Sequence, residues 1–96
     1  MKEEIILKSD KALEYVKLNV KKEDILELSY NRVFAPGEVL DVMVEEEFGE
    51  EEVIVSLHLN GDLVSDIVTV NLNDIQDDLL EIGHITDEKE TIIVIE

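Results

Sequence analysis

The chain of 96 residues has no cysteine and no tryptophan, one proline, four glycines, four Phe or Tyr residues and eight bases. Without cysteine there is no disulfide framework, no thiolate nucleophile and no zinc finger, which fits a reducing compartment, and cytoplasm is the expected location. No apolar run approaches a membrane span, and the start, with Ile5-Ile6-Leu7 as its longest apolar stretch, has no secretory signal. With so few glycines there is no phosphate-cradling loop, and with one proline and no Ser/Gly-rich stretch there is no linker. A single domain over 1–96 is expected.

Acid is abundant. There are 25 Asp and Glu, the net charge is -17, and apolar residues still make up 45%, too many for a disordered acidic tail. The charge is unevenly placed. Residues 1–32 hold seven acids and seven bases, whereas residues 33–96 hold eighteen acids and only Lys89 as a base. Such a field repels nucleic acid and anionic lipid and attracts basic protein surfaces. Direct nucleic-acid and membrane binding are therefore set aside. A chain this short buries only roughly 60–65% of its unfolded surface, which weighs against a deep catalytic cavity.

Val, Ile and Leu number 12, 11 and 12, and their alternation with polar residues predicts a mostly β protein of the α+β class: an antiparallel sheet of five to six strands with one short helix in the C-terminal half. Strands are expected over Glu3 to Leu7, around Leu26, Leu28 and Tyr30, over Leu40, Val42 and Val44 as inward residues, over Val53 to Leu59, Leu63 to Val70 and Thr91 to Ile95. Residues 10–20 read two ways. Ser9 is placed to cap a helix from Asp10, yet Val16, Leu18 and Val20 alternate as in a strand; a helical turn over 10–14 followed by a strand to Val20 is the reading adopted.

Turns are expected at Ala35-Pro36-Gly37-Glu38 and at Asn60-Gly61, the latter a type I′ hairpin signal. Asn73 with Gln76 resembles a capping box for a helix ending at Gly83, with Ile75, Leu79 and Ile82 buried and Asp74, Asp77, Asp78 and Glu81 outward.

The stretch Glu45-Glu46-Glu47-Phe48-Gly49-Glu50-Glu51-Glu52 sets six carboxylates around a Phe-Gly turn. Strand pairing there brings like charges opposite one another, which is destabilising unless water, salt, a cation or a Lys/Arg-rich partner offsets it. Alternate carboxylates on a strand lie roughly 6.6 Å apart, close to the spacing of successive phosphates on a nucleic-acid strand. Phe48 either folds back onto the core, the commoner fate of an aromatic, or stands as an anchor ringed by acid.

Other chemistry finds no foothold. The calcium-loop spacing is absent, and His58 and His84 lack the short spacing of zinc ligands, reading as a solvent-facing strand histidine and a post-helix loop histidine. Ser9, Ser29, Ser56 and Ser65 sit in no nucleophile context. No catalytic, metal or cofactor site is expected, and no enzyme. The partner-binding residues expected are Glu45, Glu46, Glu47, Phe48, Glu50, Glu51, Glu52, Asp74, Asp77, Asp78 and Glu81, acting on a basic protein surface, in the sharpest form as a nucleic-acid mimic that inhibits a basic protein.

The segment from Leu26 to Val44, Leu-Glu-Leu-Ser-Tyr-Asn-Arg-Val-Phe-Ala-Pro-Gly-Glu-Val-Leu-Asp-Val-Met-Val, resembles the paired early strands of the SecB-like chaperone family. That resemblance implies an alternative function, a sheet-edge scaffold or client-holding protein that forms homo-oligomers. The family's long C-terminal helix has no counterpart after Gly83, and no binding residue is carried over.

Overall fold

A computed structural model describes residues 1–60 and 65–96. Seven strands form one sheet: β1 (Lys2–Leu7), β2 (Ile25–Tyr30), β3 (Val33–Glu47), β4 (Glu50–Asn60), β5 (Ser65–Asn71), β6 (Leu79–Ile85) and β7 (Glu90–Ile95). Their order is β1-β7-β6-β2-β3-β4-β5. One helix, α1 (Ser9–Asn19), packs on one face. The mostly-β α+β class holds, while the sheet has seven strands rather than five or six and is mixed, because β1 runs parallel to β7.

Each departure from the expected elements has a local cause. The helix runs through to Asn19 because Ala12, Leu13, Val16 and Val20 make a buried stripe at helical spacing, leaving Leu18 exposed. Ser9 is not its cap; the helix is preceded by Lys8 without a side-chain cap, and Ser9 Oγ instead accepts a hydrogen bond from Gln76 Nε2 at 3.2 Å.

The turn expected at residues 35–38 is the interior of β3. The chain reverses at Asn31-Arg32, where Asn31 takes a positive φ of 52°. Pro36 is tolerated because it pairs with Glu27 of β2 just before β3 begins its register with β4 at Glu38, so its missing N–H costs no bond on that side. Gly37 is there for space: a Cβ would lie 2.7 Å from the His58 carbonyl oxygen. Beyond it the register of β3 against β4 shifts between Val39 and Asp41. The bulge takes up one residue, so the helix side of the strand passes from Val39 to Val42 and Val44, opposite Leu57, Val55 and Val53, and Leu40 drops out of the expected inward set; Val42 packs against the core, while Val44 is 43% exposed.

The helix expected after Asn73 does not form. A turn leads into a single 3₁₀ turn, Gln76–Asp78, and Leu79 begins β6. Asn73 serves the sheet: its Oδ1 accepts from Val53 N at 2.9 Å and its Nδ2 donates to Glu51 O at 3.0 Å. Gly83 is interior to β6, between β2 and β7. The demand for a central strand there outweighs the local helix signals, which Glu81 near the would-be C-terminus already opposed. The Asn60-Gly61 turn lies outside the described residues, though β4 and β5 pair antiparallel up to Asn60 opposite Ser65.

Core residues from every layer meet on the helix side: Leu26 and Leu28 of β2, Val53, Val55 and Leu57 of β4, Ile82 of β6, Ile93 of β7, with Leu72 from the segment that crosses beside α1. His84 lies among them at 5% exposure, in β6 rather than in a loop. Its Nε2 is 2.8 Å from Asp24 Oδ2 and its Nδ1 is 2.8 Å from the Tyr15 hydroxyl. A carboxylate only accepts, so opposite an ionised Asp24 Nε2 carries the proton, and in the neutral imidazole Nδ1 then accepts from the Tyr15 hydroxyl. This chain of bonds ties α1 and the loop after it to the centre of the sheet. Tyr15→Phe removes the hydroxyl partner of Nδ1 and should cost about 1–3 kcal/mol in urea denaturation; a cost below about 0.5 kcal/mol, the size of an ordinary surface change, would contradict the assignment.

Candidate functional site

The β3–β4 hairpin outruns its neighbours. Pairing of β2 with β3 ends at Glu38 and pairing of β5 with β4 ends at Ile54, whereas β3 and β4 remain paired to Glu47 opposite Glu50. Residues 45–52 therefore form an arm whose two strands pair only with each other.

Three successive cross-strand pairs on the arm are Glu opposite Glu: Glu45 with Glu52, Glu46 with Glu51, and Glu47 with Glu50. Alternation along β4 from the buried Val53 puts Glu51 and its partner Glu46 on the helix side, and the other two pairs on the opposite side. Lys17 of α1 forms an ion pair with Glu51, and Glu52 Oε2 accepts a 2.7 Å hydrogen bond from Asn71 Nδ2. Glu45, Glu46, Glu47 and Glu50 make no ion pair or side-chain hydrogen bond among the described residues. The two tethered acids are both on β4, and Glu45 and Glu46 opposite them, with Glu47 and Glu50 at the tip, are left to water.

At the tip, Phe48 and Gly49 have φ of 51° and 81°, the positive values a type I′ hairpin turn requires. Gly takes such angles without cost, but Phe does not: its Cβ crowds the backbone in this region, which is why Asn, Asp and Gly usually fill it. The ring is 96% exposed. The packing alternative for Phe48 is thereby excluded, and a strained backbone position is spent on an aromatic that supports no core.

The base of the arm is fastened by the segment after β5. Leu72 N donates to Val53 O at 2.8 Å, and the two Asn73 bonds described above lie beside it. A cleft of about 390 Å³ opens there between α1 and β4, bordered by Asp10, Leu13, Glu14, Lys17, Glu51 and Asn73 among others.

The remaining expected site residues do not join the arm. Asp74 is exposed next to Asn73 at its base. Asp77 and Asp78 are exposed in the 3₁₀ turn, and the Asp78 carbonyl accepts from Asn31 N, which places that turn at the far end of β3 from the arm. Glu81 pairs with Ser29 and Val94 on β6, with β2 and β3 lying between it and β4. Their grouping depended on a helix that does not form. Sequence reasoning also missed the Asp24–His84–Tyr15 chain, for which neither spacing nor local pattern gives a signal. Among the described residues no His, Asp and Glu cluster is arranged to hold a metal ion, and no helix is long and apolar enough to cross a membrane.

Residues 3–94 match the profile of a family described as "Uncharacterized protein conserved in archaea (DUF2097)". The chain belongs to that family. No curated protein and no solved structure matches it.

Phe48→Asn places at the tip a residue suited to the left-handed region and should raise stability by about 0.5–1 kcal/mol. A fall in Tm instead would show that the ring packs against the molecule.

Proposed function

We propose that this DUF2097 protein is a non-enzymatic binding module whose acidic β3–β4 arm docks on a basic surface of another protein, in the sharpest case a surface that otherwise holds nucleic acid. The observation that carries the reading is the run of three Glu–Glu pairs on a two-stranded ribbon. With one carboxylate per residue on each strand, and a rise of about 3.3 Å per residue, the arm carries roughly one negative charge per 1.7 Å of its length. Duplex DNA carries about one per 1.7 Å of axis. The arm thus matches the duplex in linear charge density over a short stretch, though as a narrower ribbon.

Two features make it suited to docking. Glu45, Glu46, Glu47 and Glu50 have no cation to displace among the described residues, so a Lys/Arg-rich partner gains their full attraction and relieves their mutual repulsion. The exposed Phe48 supplies an apolar anchor within the charged ring, of the kind that carries binding energy at hot spots. The lack of cysteine fits action in a reducing cytoplasm.

The test is displacement of a labelled DNA duplex from a basic archaeal DNA-binding protein by this chain, followed over a salt series. Affinity should fall steeply and linearly on a log–log plot against salt, and a Glu45→Gln, Glu46→Gln, Glu47→Gln variant should displace the duplex at least about tenfold less well. Binding that ignores salt, or that survives this variant unchanged, would remove the arm from the mechanism.

A second reading, the SecB-like or sheet-edge scaffold, draws support from β1 and β5, the terminal strands of the sheet, whose outer edges pair with nothing among the described residues. It predicts self-association that persists or strengthens in high salt, read by sedimentation velocity; a monomer at both low and high ionic strength would exclude it.

A further inference from the structure

Among the described residues the sheet is covered on one side only. α1 and the segment carrying Leu72 and the 3₁₀ turn share one face, joined by the Gln76–Ser9 hydrogen bond. The opposite face has no layer over it among the described residues. Its rows follow from the registers: Ile6, Val94, Glu81, Ser29 and Phe34 across one line, and Glu4, Ile92, Gly83, Glu27 and Pro36 across the next. Ile6 is 65% exposed and Phe34 61%, with Ile92 and Val94 half-buried between them. The accessible surface of the whole molecule, 6390 Å², exceeds the roughly 5600 Å² of a typical monomer of this mass, consistent with an open face as well as a projecting arm.

At the centre of this face lies a carboxylate with nothing to bind. Glu27 leans across Gly83 so closely that a Cβ on that residue would sit 2.9 Å from Glu27 Oε1. It is half-buried, and it makes no hydrogen bond or ion pair among the described residues. A carboxylate laid on an apolar sheet surface is partly stripped of water and gains most from a cation brought to it under cover.

We infer that this open face is a docking surface for a cationic amphipathic helix of a partner protein, with one Lys or Arg of that helix paired to Glu27 and its apolar stripe laid on Ile6, Ile92, Val94 and Phe34. The inference is independent of the arm. Charge complementarity selects the partner: among the described residues the face carries Glu4, Glu27, Glu38, Glu81 and Glu90 against Lys2, which is already paired with Glu90, and His58, which lies opposite Glu38. A second copy of the chain would set these acids against their own kind. A helix is selected over a strand because a strand lying flat on a face leaves its backbone N–H and C=O groups unpaired, whereas a helix satisfies its own and completes a third layer.

The probe is a synthetic Leu/Lys amphipathic helix bearing one Trp on its apolar side. The protein has no Trp, so emission reports the probe alone. Binding should be saturable, shift the emission to the blue, persist in high salt, and exceed that of a scrambled peptide of the same composition. Glu27→Gln should weaken it at least about tenfold without lowering Tm, Phe34→Ser should weaken it while leaving the circular dichroism spectrum unchanged, and the triple Gln arm variant should bind as the wild type does. Equal binding of the scrambled peptide, an unchanged affinity for Glu27→Gln, or loss of binding in the arm variant would overturn the proposal. So would a wild-type dimer that Phe34→Ser dissociates, which would show a second copy on the face.

Discussion

The structure depends on one layer of burial: a seven-stranded sheet sealed on a single face by an eleven-residue helix and the segment that crosses beside it. A chain of this size has apolar volume for one such interface and little more. Among the described residues the fully buried large side chains lie on that side, from Leu26 and Leu28 to Ile82 and Ile93. The Asp24–His84–Tyr15 bonds fix the helix at the place where this layer closes. What remains of the sheet, its second face and its longest hairpin, is free of structural duty and carries the acid.

Charge and backbone strain point the same way at the hairpin tip. Like-charged cross-strand pairs and a Phe in a left-handed turn each oppose folding, and at the tip neither is relieved by a contact among the described residues. The fold tolerates them because the arm extends past the layer that holds the sheet together, so its local cost does not propagate into the core. Lys17 and Asn71 temper the charge only at the arm's base. The open face presents the converse arrangement, with modest charge spread through apolar surface and a central carboxylate whose partner must come from outside.

Much of the sheet was legible along the chain. Leu26 and Leu28, and the run Val53, Val55, Leu57, alternate cleanly and are buried as the alternation implies. The Glu-Phe-Gly-Glu hairpin follows from its acids and its glycine, and the structure pairs it residue for residue. The failures share a mechanism. Pro36-Gly37, Asn73 and Gly83 carry turn or cap signals that serve sheet contacts instead: a single-sided strand position, a bracket for β4, and a flat spot beneath Glu27. In β3 one inserted residue near Leu40 breaks the alternation, so Val39 takes the core-side place expected of Leu40 while Val42 and Val44 keep theirs, which a pattern of period two cannot anticipate without its partner strand.

The sequence by itself determined the composition of the surface and the core: the confinement of net charge to residues 33–96, the alternating strands, and the acidic hairpin with Phe48 at its turn. These are properties of neighbours along the chain, where a few residues decide the outcome. Tertiary structure alone decided that residues 79–85 form a central strand, that the acids of 74–81 are dispersed, that His84 is enclosed by Tyr15 and Asp24, and that Glu27 lies unpaired on an open face. Each of these is set by which strand lies beside which, and strand order depends on long-range burial that no local window contains.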